Sequence, residues 1–379
     1  MHRLIVSTVG TSLLSNVARA KGKETEYVLR DTANLKDNEI SKEQKAVIVQ
    51  LAQEASKKLE ISTPQESRRM SAELNGIWGY YYSNATKKSR GQDFHFLIST
   101  DTFQGKLTAE MLKEYLRSKE FNVLDIFTPP GLSTADSHSF SNGIKQIVKW
   151  CQEVITEYRR QGYFVVFNLV GSFKSLQGFM NTLGMFYADE IIYIFEAETA
   201  DLILIPRLPI KMELQPILKE KAKIFALMAE NYIAFREELT GIPEIYLDMD
   251  EQGFATLSEW GFLVWNENKK EILGSLPLNQ FNFKGLKYEK SFEKDFEKID
   301  QNRRADIIST LAQAAVIYQE KGLTGLREHG GLQYSDYQGL KEKIGHFRLD
   351  QDWRVSCKEE NRILFLRHVG PHDYVNNNP

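Results

Sequence analysis

Over residues 1 to about 205, short β-branched runs alternate with amphipathic helical stretches, and that order admits few folds. Strand, crossover helix and strand again builds a mostly parallel sheet with helices on both faces. The runs that predict strands are Leu4–Thr8, Phe94–Ser99, Val123–Phe127, Phe164–Val170 and Ile191–Phe195. Helical spacing covers Lys42–Leu59, Glu66–Asn84, Leu107–Ser118, Ser139–Arg159 and Ser175–Ala188. The charged stretch from Ala20 to Glu39 reads as an irregular insertion in the first crossover.

The pattern changes after residue 205. From 206 to 285 a long helix, Leu214 to Leu239, is closed by Gly241-Ile242-Pro243 and followed by a short helix near Glu251–Trp260. Two strand-like runs, Phe262–Trp265 and Ile272–Leu276, flank a polar turn at Asn266–Lys269, so the segment reads as a winged-helix-like connector. Glu244, Asp248, Asp250 and Glu251 oppose a phosphate-hugging face, which favours a connector or dimerisation module over DNA binding. Residues 286–379 run helix first, to about Gln319, then a loop with Gly322, Gly325, Gly330 and Gly331. Strands Phe347–Leu349, Arg354–Cys357 and Ile363–Val369 complete a small α+β domain.

At 379 residues the chain can bury several cores, and its net charge of -3 leaves any polyanion site to a local patch. Cys151 and Cys357 have neither disulfide-framework nor zinc spacing, which fits a reducing, cytoplasmic setting. The start, with Ala18-Arg19-Ala20, imitates a signal peptide, but Gly10, Thr11, Ser12, Ser15 and Asn16 interrupt its apolar run. No apolar run approaches the ~20 residues of a membrane helix, so no membrane partner is expected.

In a doubly wound sheet, ligands bind beyond the carboxyl ends of the strands. Four loops fall there: Val9-Gly10-Thr11-Ser12, Thr100-Asp101-Thr102-Phe103-Gln104, Pro129 to Thr134, and Gly171-Ser172-Phe173-Lys174. Glycine lets backbone N–H groups approach phosphate, a helix start adds its dipole, and a lysine adds a point charge. The loops therefore predict a phosphate-binding pocket.

The stretches "VSTVGTSLL", "FNLVGSFKSLQGFMNTLGMFYADEIIYIFE" and "IPRLPI" resemble the CRISPR-associated Rossmann fold, or CARF, domain, over nearly all of residues 1–205. The resemblance implies a Rossmann-like α/β fold and a homodimer whose paired pockets bind a cyclic oligoadenylate. Cyclic tetra-adenylate is expected ahead of cyclic hexa-adenylate, since it is the commoner ligand of such domains. Carried over by motif, Thr11 and Ser12 contact ribose or phosphate and Lys174 neutralises phosphate. Gly10, Gly171, Ser172 and Phe173 line the site, with Thr102 and Gln104 as further contacts. Some relatives also cleave the ring slowly, a role Ser12 and Lys174 could fill here.

The other end of the chain carries cations beside strands: Lys341, Lys343, His346, Arg348 and Arg354, then His368, His372 and Tyr374. RNA brings its own nucleophile, the 2′-hydroxyl. Side chains alone can take its proton, stabilise the extra charge on phosphorus and protonate the leaving 5′-oxygen. No carboxylate cluster suggests a magnesium site, so no metal or catalytic cofactor is expected.

The stretch "FRLDQDWRVSCKEENRILFLRHVGPHDYV" resembles the RelE-like mRNA interferase fold over roughly the last 90 residues. The resemblance makes Arg354 the stabiliser of phosphorane charge and His372 the general acid or base. Lys341, Lys343 and Arg348 become RNA-facing cations, and Tyr374 a base-stacking aromatic; the general base stays unassigned. His368, inside an apolar pattern, reads as structural, and Arg362 and Arg367 as partners of acidic neighbours. Arg367 through His372 also spells the R-x4-H of HEPN ribonucleases, but that motif belongs on helices and Ile363–Val369 reads as a strand.

Together the two resemblances imply a CRISPR accessory effector. A ring bound by the first domain licenses a ribonuclease that cuts mRNA in the ribosomal A site, with mRNA and the translating ribosome as partners. Three alternatives stand beside it: cutting of free RNA, a ligand-responsive winged-helix transcription regulator, and a ring nuclease.

Overall fold

Arg3–Thr8 (β1) is buried at every residue, as a strand at the middle of a parallel sheet covered on both faces must be. A computed structural model describes residues 2–83, 90–194, 202–210, 215–339 and 342–379. The chain divides into two units, Met1–Lys211 and Met212–Pro379.

In the first unit β1 is followed by β2 (Phe94–Ile98), β3 (Asn122–Phe127), β4 (Phe164–Asn168), β5 (Glu190–Ile194) and β6 (Leu202–Pro206). The spatial order is β3-β2-β1-β4-β5-β6, parallel except for β6. The order reverses between β1 and β4, so the loops that follow these two strands lie side by side. Between β1 and β2 run α1 (Ser12–Lys21), α2 (Lys23–Asp31), α3 (Lys42–Ile61), α4 (Pro64–Met70) and α5 (Ala72–Tyr82). Then α6 (Phe103–Ser118) leads to β3, α7 (Ser137–Trp150) with α8 (Thr156–Arg160) to β4, and α9 (Lys174–Tyr187) to β5.

Every strand expected in this unit is present, with ends moved by a residue or two; Phe195 and Asn84 lie outside the described residues. Two readings are corrected. The supposed irregular insertion contains α2, whose Glu24, Glu26 and Arg30 suit the helix dipole and whose single buried residue, Leu29, left almost no apolar stripe to detect. The helix expected from Glu66 breaks at Ser71, whose hydroxyl caps α5 by accepting from Leu74 N–H at 3.3 Å.

The second unit departs further from expectation. Its elements are α10 (Pro216–Glu220), α11 (Ala222–Ala229), β7 (Ala234–Phe235), β8 (Leu247–Met249), β9 (Phe254–Leu257) and α12 (Glu259–Ser275). They continue with β10 (Leu286–Tyr288), α13 (Lys290–Glu297), α14 (Gln301–Glu328), β11 (Ser335–Asp336), β12 (Ile344–Arg348), β13 (Trp353–Glu360), β14 (Ile363–Pro371) and α15 (His372–Asn377). The expected long helix is two, α10 and α11, parted at Lys221 and ended at Ala229, where Asn231 turns the chain at φ +66°; Leu214 lies outside the described residues. The expected short helix is strand β9 instead.

Both expected wing strands and the turn between them belong to one helix, α12, capped by Ser258 accepting from Gly261 N–H at 3.0 Å. Leu263, Trp265, Ile272 and Leu273 are buried along it, and short apolar runs of this kind do not distinguish strand from helix. Gly261 and Gly274 let it lie close to its neighbours; a Cβ at Gly274 would meet the Gln301 carbonyl oxygen at 2.4 Å. The strands of this segment lie earlier instead, β7, β8 and β9 pairing antiparallel in the order β7-β9-β8.

Phe225 and Trp265 share one core with Ile308, Leu311, Phe347, Val355 and Leu364, so a single core crosses the boundary expected at 285. The larger sheet has the order β10-β14-β13-β12-β11, with β10 parallel to β14 and the others antiparallel. Phe347, Val355 and Val369, level with one another on β12, β13 and β14, form its buried row. Gly322, expected in a loop, kinks α14 at φ +59°, a conformation glycine adopts without strain.

Candidate functional site

Two places gather the predicted residues, one in each unit. In the second unit alternation along the strands decides which side chains meet. Arg348 is the register partner of Arg354, which in turn faces Gly370; His346 is level with Ser356. Since Phe347 and Val355 point into the core, Arg348, Arg354 and His346 share the opposite face.

The Arg354 guanidinium is held from one side. Its Nη1 donates to the carbonyl oxygens of Asp350 (2.9 Å), Gln351 (3.2 Å) and Trp353 (3.0 Å), which fixes its position, while its buried Nε has no partner among the described residues. Burial, and then Arg348 beside it, disfavour its charge. The nearby Asp350 carboxylate, bound to Arg303 and to the N–H groups of Asp352 and Trp353, offsets this only in part. Arg348 has no carboxylate partner among the described residues. Like charges directly opposite in a sheet are destabilising, so an anion is the natural complement of this pair.

His346 sits against the Tyr337 ring, centroids 4.6 Å apart, with Nε2 3.3 Å from Ser335 Oγ and a buried Nδ1 lacking a partner. Burial, then Arg354, His372 and Arg348, hold its pKa below the ordinary imidazole value. The lowered pKa favours the neutral ring, the form that can accept a proton.

His372 is the first residue of α15 rather than part of a turn. Its backbone N–H donates to the Asp352 carbonyl at 2.7 Å, which brings it beside the β12–β13 loop. Its ring is half exposed, within 3.0 Å of Asp373 Oδ1 and of Asn376 Nδ2, and Tyr337 Oη donates to Asn376 Oδ1 at 2.9 Å. The structure thus brings together Arg348, Arg354, His346 and His372.

The remaining predictions fare differently. Lys341 lies outside the described residues, and Lys343 is exposed just before β12. Tyr374 lies over Gly370, where a Cβ would meet its ring at 2.8 Å, and donates its hydroxyl to Asp295 Oδ1 at 2.8 Å. The other oxygen of Asp295 is 2.8 Å from His368 Nδ1, so His368 is bound into a structural contact, as its place in an apolar strand suggested. Arg367 pairs with Glu289 at 3.7 Å, and it lies on β14, not on a helix.

In the first unit the loops after β1 and β4 meet. Thr8 donates its hydroxyl to the Gly171 carbonyl, and a Cβ on Gly10 would sit 3.3 Å from Ser172 Cα. Under both loops lies a residue that the sequence reading missed, Glu73 near the start of α5. It is fully buried, and it accepts from Gly10 N–H (2.7 Å), Ser12 Oγ (3.0 Å) and Ser71 Oγ (2.5 Å). Gly171 packs on the same carboxylate, since a Cβ there would be 2.1 Å from Oε1. Its only sequence signal is the Ser71-Ala-Glu cap of α5, which looks like helix initiation alone.

Ser172 holds φ +147° with a buried hydroxyl lacking a partner, Phe173 precedes α9 as its cap residue, and Lys174 is exposed in its first turn. Thr11 caps α1 without a side-chain bond and is partly exposed. Thr102 and Gln104 are buried and hydrogen-bonded within the unit. Thr102 caps α6 from a buried position, and the Gln104 amide donates to the Leu29 carbonyl (2.8 Å) and Thr32 Oγ1 (2.7 Å), tying down α2. Among the described residues no three His, Cys, Asp or Glu side chains gather as metal ligands do.

The first unit is thus an α/β fold with a mostly parallel sheet, in which two glycine turns meet where the strand order reverses. Residues 68–208 match the family model of a CRISPR-associated protein (Cas_APE2256). The similarity runs through Glu73 and the Gly171–Lys174 loop, and ends before the second unit begins.

Proposed function

We propose that this chain is a CRISPR-associated ribonuclease whose first unit binds a cyclic oligoadenylate and whose second unit cuts mRNA, in the ribosomal A site. The observation that carries the nuclease reading is the convergence of Arg348, Arg354, His346 and His372 on one end of a sheet, where the two arginines stand level with each other. The match over residues 68–208 supports the CRISPR setting, and the switch-point loops support the nucleotide sensor.

In the proposed reaction neutral His346 takes the proton of the 2′-hydroxyl as its oxygen bonds to phosphorus. Arg354 and Arg348 stabilise the charge that builds on the phosphate oxygens. His372, protonated, gives its proton to the departing 5′-oxygen, leaving a 2′,3′-cyclic phosphate and a 5′-hydroxyl. A ribosome presenting the message in an attack-ready shape would supply the orientation that the half-exposed His372 does not.

The test maps mRNA ends in a translation reaction with and without cyclic tetra-adenylate. New ends that require the ring and vanish in Arg354→Ala and His372→Ala are expected; cutting by both variants at the parental rate rejects the assignment. Purified protein with ring and naked RNA separates ribosome-dependent cutting from cutting of free RNA. Joining the two units, the ring must favour the active arrangement by roughly 5 kcal/mol for a near-complete switch.

A further inference from the structure

We propose that Tyr337 and Asn376 form a latch that holds the two imidazoles of the second unit in a resting arrangement, and that cleavage begins when their hydrogen bond opens. The inference rests on the nuclease reading above and names how that site is kept silent.

Of the two nitrogens of His346, one is shared and the other is out of reach. Ser335 stands level with His346 across β11 and β12, and its hydroxyl lies 3.3 Å from Nε2. Nδ1 is buried without a partner, and the Tyr337 ring lies against the imidazole with centroids 4.6 Å apart. A general base has to come within hydrogen-bond reach of the proton it takes. A 2′-hydroxyl has no such access to the buried nitrogen while Tyr337 stays where it is.

His372 is engaged through the same tyrosine. Tyr337 Oη donates to Asn376 Oδ1 at 2.9 Å, and Asn376 Nδ2 lies 3.0 Å from His372 Nε2. Burial pushes the Tyr337 phenol up to about 12, so it keeps the hydrogen it donates at neutral pH. An amide nitrogen only donates, so the Nε2 it meets is an acceptor and carries no hydrogen. The other ring nitrogen, Nδ1, faces Asp373 Oδ1 at 3.0 Å. Held in this way, His372 has no proton on Nε2 to give to a departing 5′-oxygen. One chain of contacts thus runs from His346 through Tyr337 and Asn376 to His372, tying the β11–β12 hairpin to α15. A single neutral hydrogen bond closes it, and a bond of that kind shifts a population without freezing it.

The experiment measures mRNA cleavage by the full-length protein in a translation reaction, with and without cyclic tetra-adenylate. Tyr337→Phe keeps the ring against His346 and removes only the hydroxyl that reaches Asn376. Ligand-free cutting is expected to rise about 5- to 10-fold, the worth of one hydrogen bond, while cutting at saturating ligand stays at the wild-type rate. Asn376→Ala opens the same contact from α15 and should raise ligand-free cutting at least as much, with Tyr337→Phe adding nothing to it in the double variant. Ligand-free cutting at the wild-type level in both single variants overturns the inference and leaves the nuclease reading standing. So does an equal rise with and without ligand, which is a faster chemical step rather than an opened latch. A wild type that cuts no mRNA with the ligand overturns both. Should Tyr337→Phe fail to fold, Asn376→Ala alone gives the readout, a rise confined to ligand-free cutting being expected and any other result contrary.

Discussion

The turn after β1 and the open end of the β12–β13 pair both set polar groups at the edge of a sheet, and they differ in what those groups already hold. Gly10 N–H and the Ser12 hydroxyl are bound to the buried carboxylate of Glu73. Arg354 Nε, His346 Nδ1 and the Arg348 guanidinium have no such partner among the described residues. A motif names the kind of group present, but only the hydrogen-bond inventory says whether the group is free. The polar groups of the first place are used within the fold, whereas the second holds buried polar atoms without a partner among the described residues.

The largest expected effect tests the second place. Arg354→Ala should lower single-turnover cleavage by about 10²–10³-fold, the usual cost of one transition-state donor. Lysine should restore little, because an ammonium cannot hold three loop carbonyls and also present a free N–H. Cleavage within a few-fold of wild type in Arg354→Ala would mean the cation pair is structural.

Next comes His346→Ala, expected to cost about 10²-fold as the loss of a general base. The pH profile sharpens the assignment. A base works when neutral, so activity should rise with pH through the His346 pKa, which burial and three cations hold below the ordinary imidazole value of 6.5. Removing one of those cations in Arg348→Ala makes protonation easier and should move the acid limb of kcat/KM to higher pH. A limb that stays in place in Arg348→Ala assigns the titration to a different group.

The same contrast explains what could be read without coordinates. Strands β1, β4 and β5 were legible because each is a compact β-branched run between helical stretches, and a parallel sheet buries most of such a run. The strands beside Arg354 and His372 were legible because the "WRV" run and the end of β14 are local patterns. Glu73 was not: it is distant in sequence from Gly10 and Gly171, and only the packing of α5 under the switch point brings it there. The wing was misread because Phe262–Trp265 and Ile272–Leu276 are too short for periodicity to separate strand from helix, and the deciding contact, α12 against α14, is long-range.

Two smaller effects probe the occupied site. Gly171→Ala places a methyl group 2.1 Å from Glu73 Oε1, so the loop or the carboxylate must shift, at ~1–3 kcal/mol in urea unfolding of the first unit. An unperturbed midpoint would mean that the Gly10–Glu73–Gly171 packing is loose.

The smallest effect separates a structural threonine from a ligand contact. Thr102 was expected at the pocket, yet it is buried, accepts from Gly105 N–H at 3.1 Å as the cap of α6, and shares a hydrogen with Thr100 Oγ1 at 2.9 Å. Thr102→Ala should therefore cost ~1 kcal/mol of stability, the worth of a helix cap, and leave ring affinity unchanged. Serine at the same position should recover most of the loss, since its hydroxyl can make the same bond to Gly105. If ring affinity falls while the unfolding midpoint holds, Thr102 reaches the ligand after all. The hydroxyl then leaves its cap on binding, and α6 has to be counted among the elements that respond to the ring.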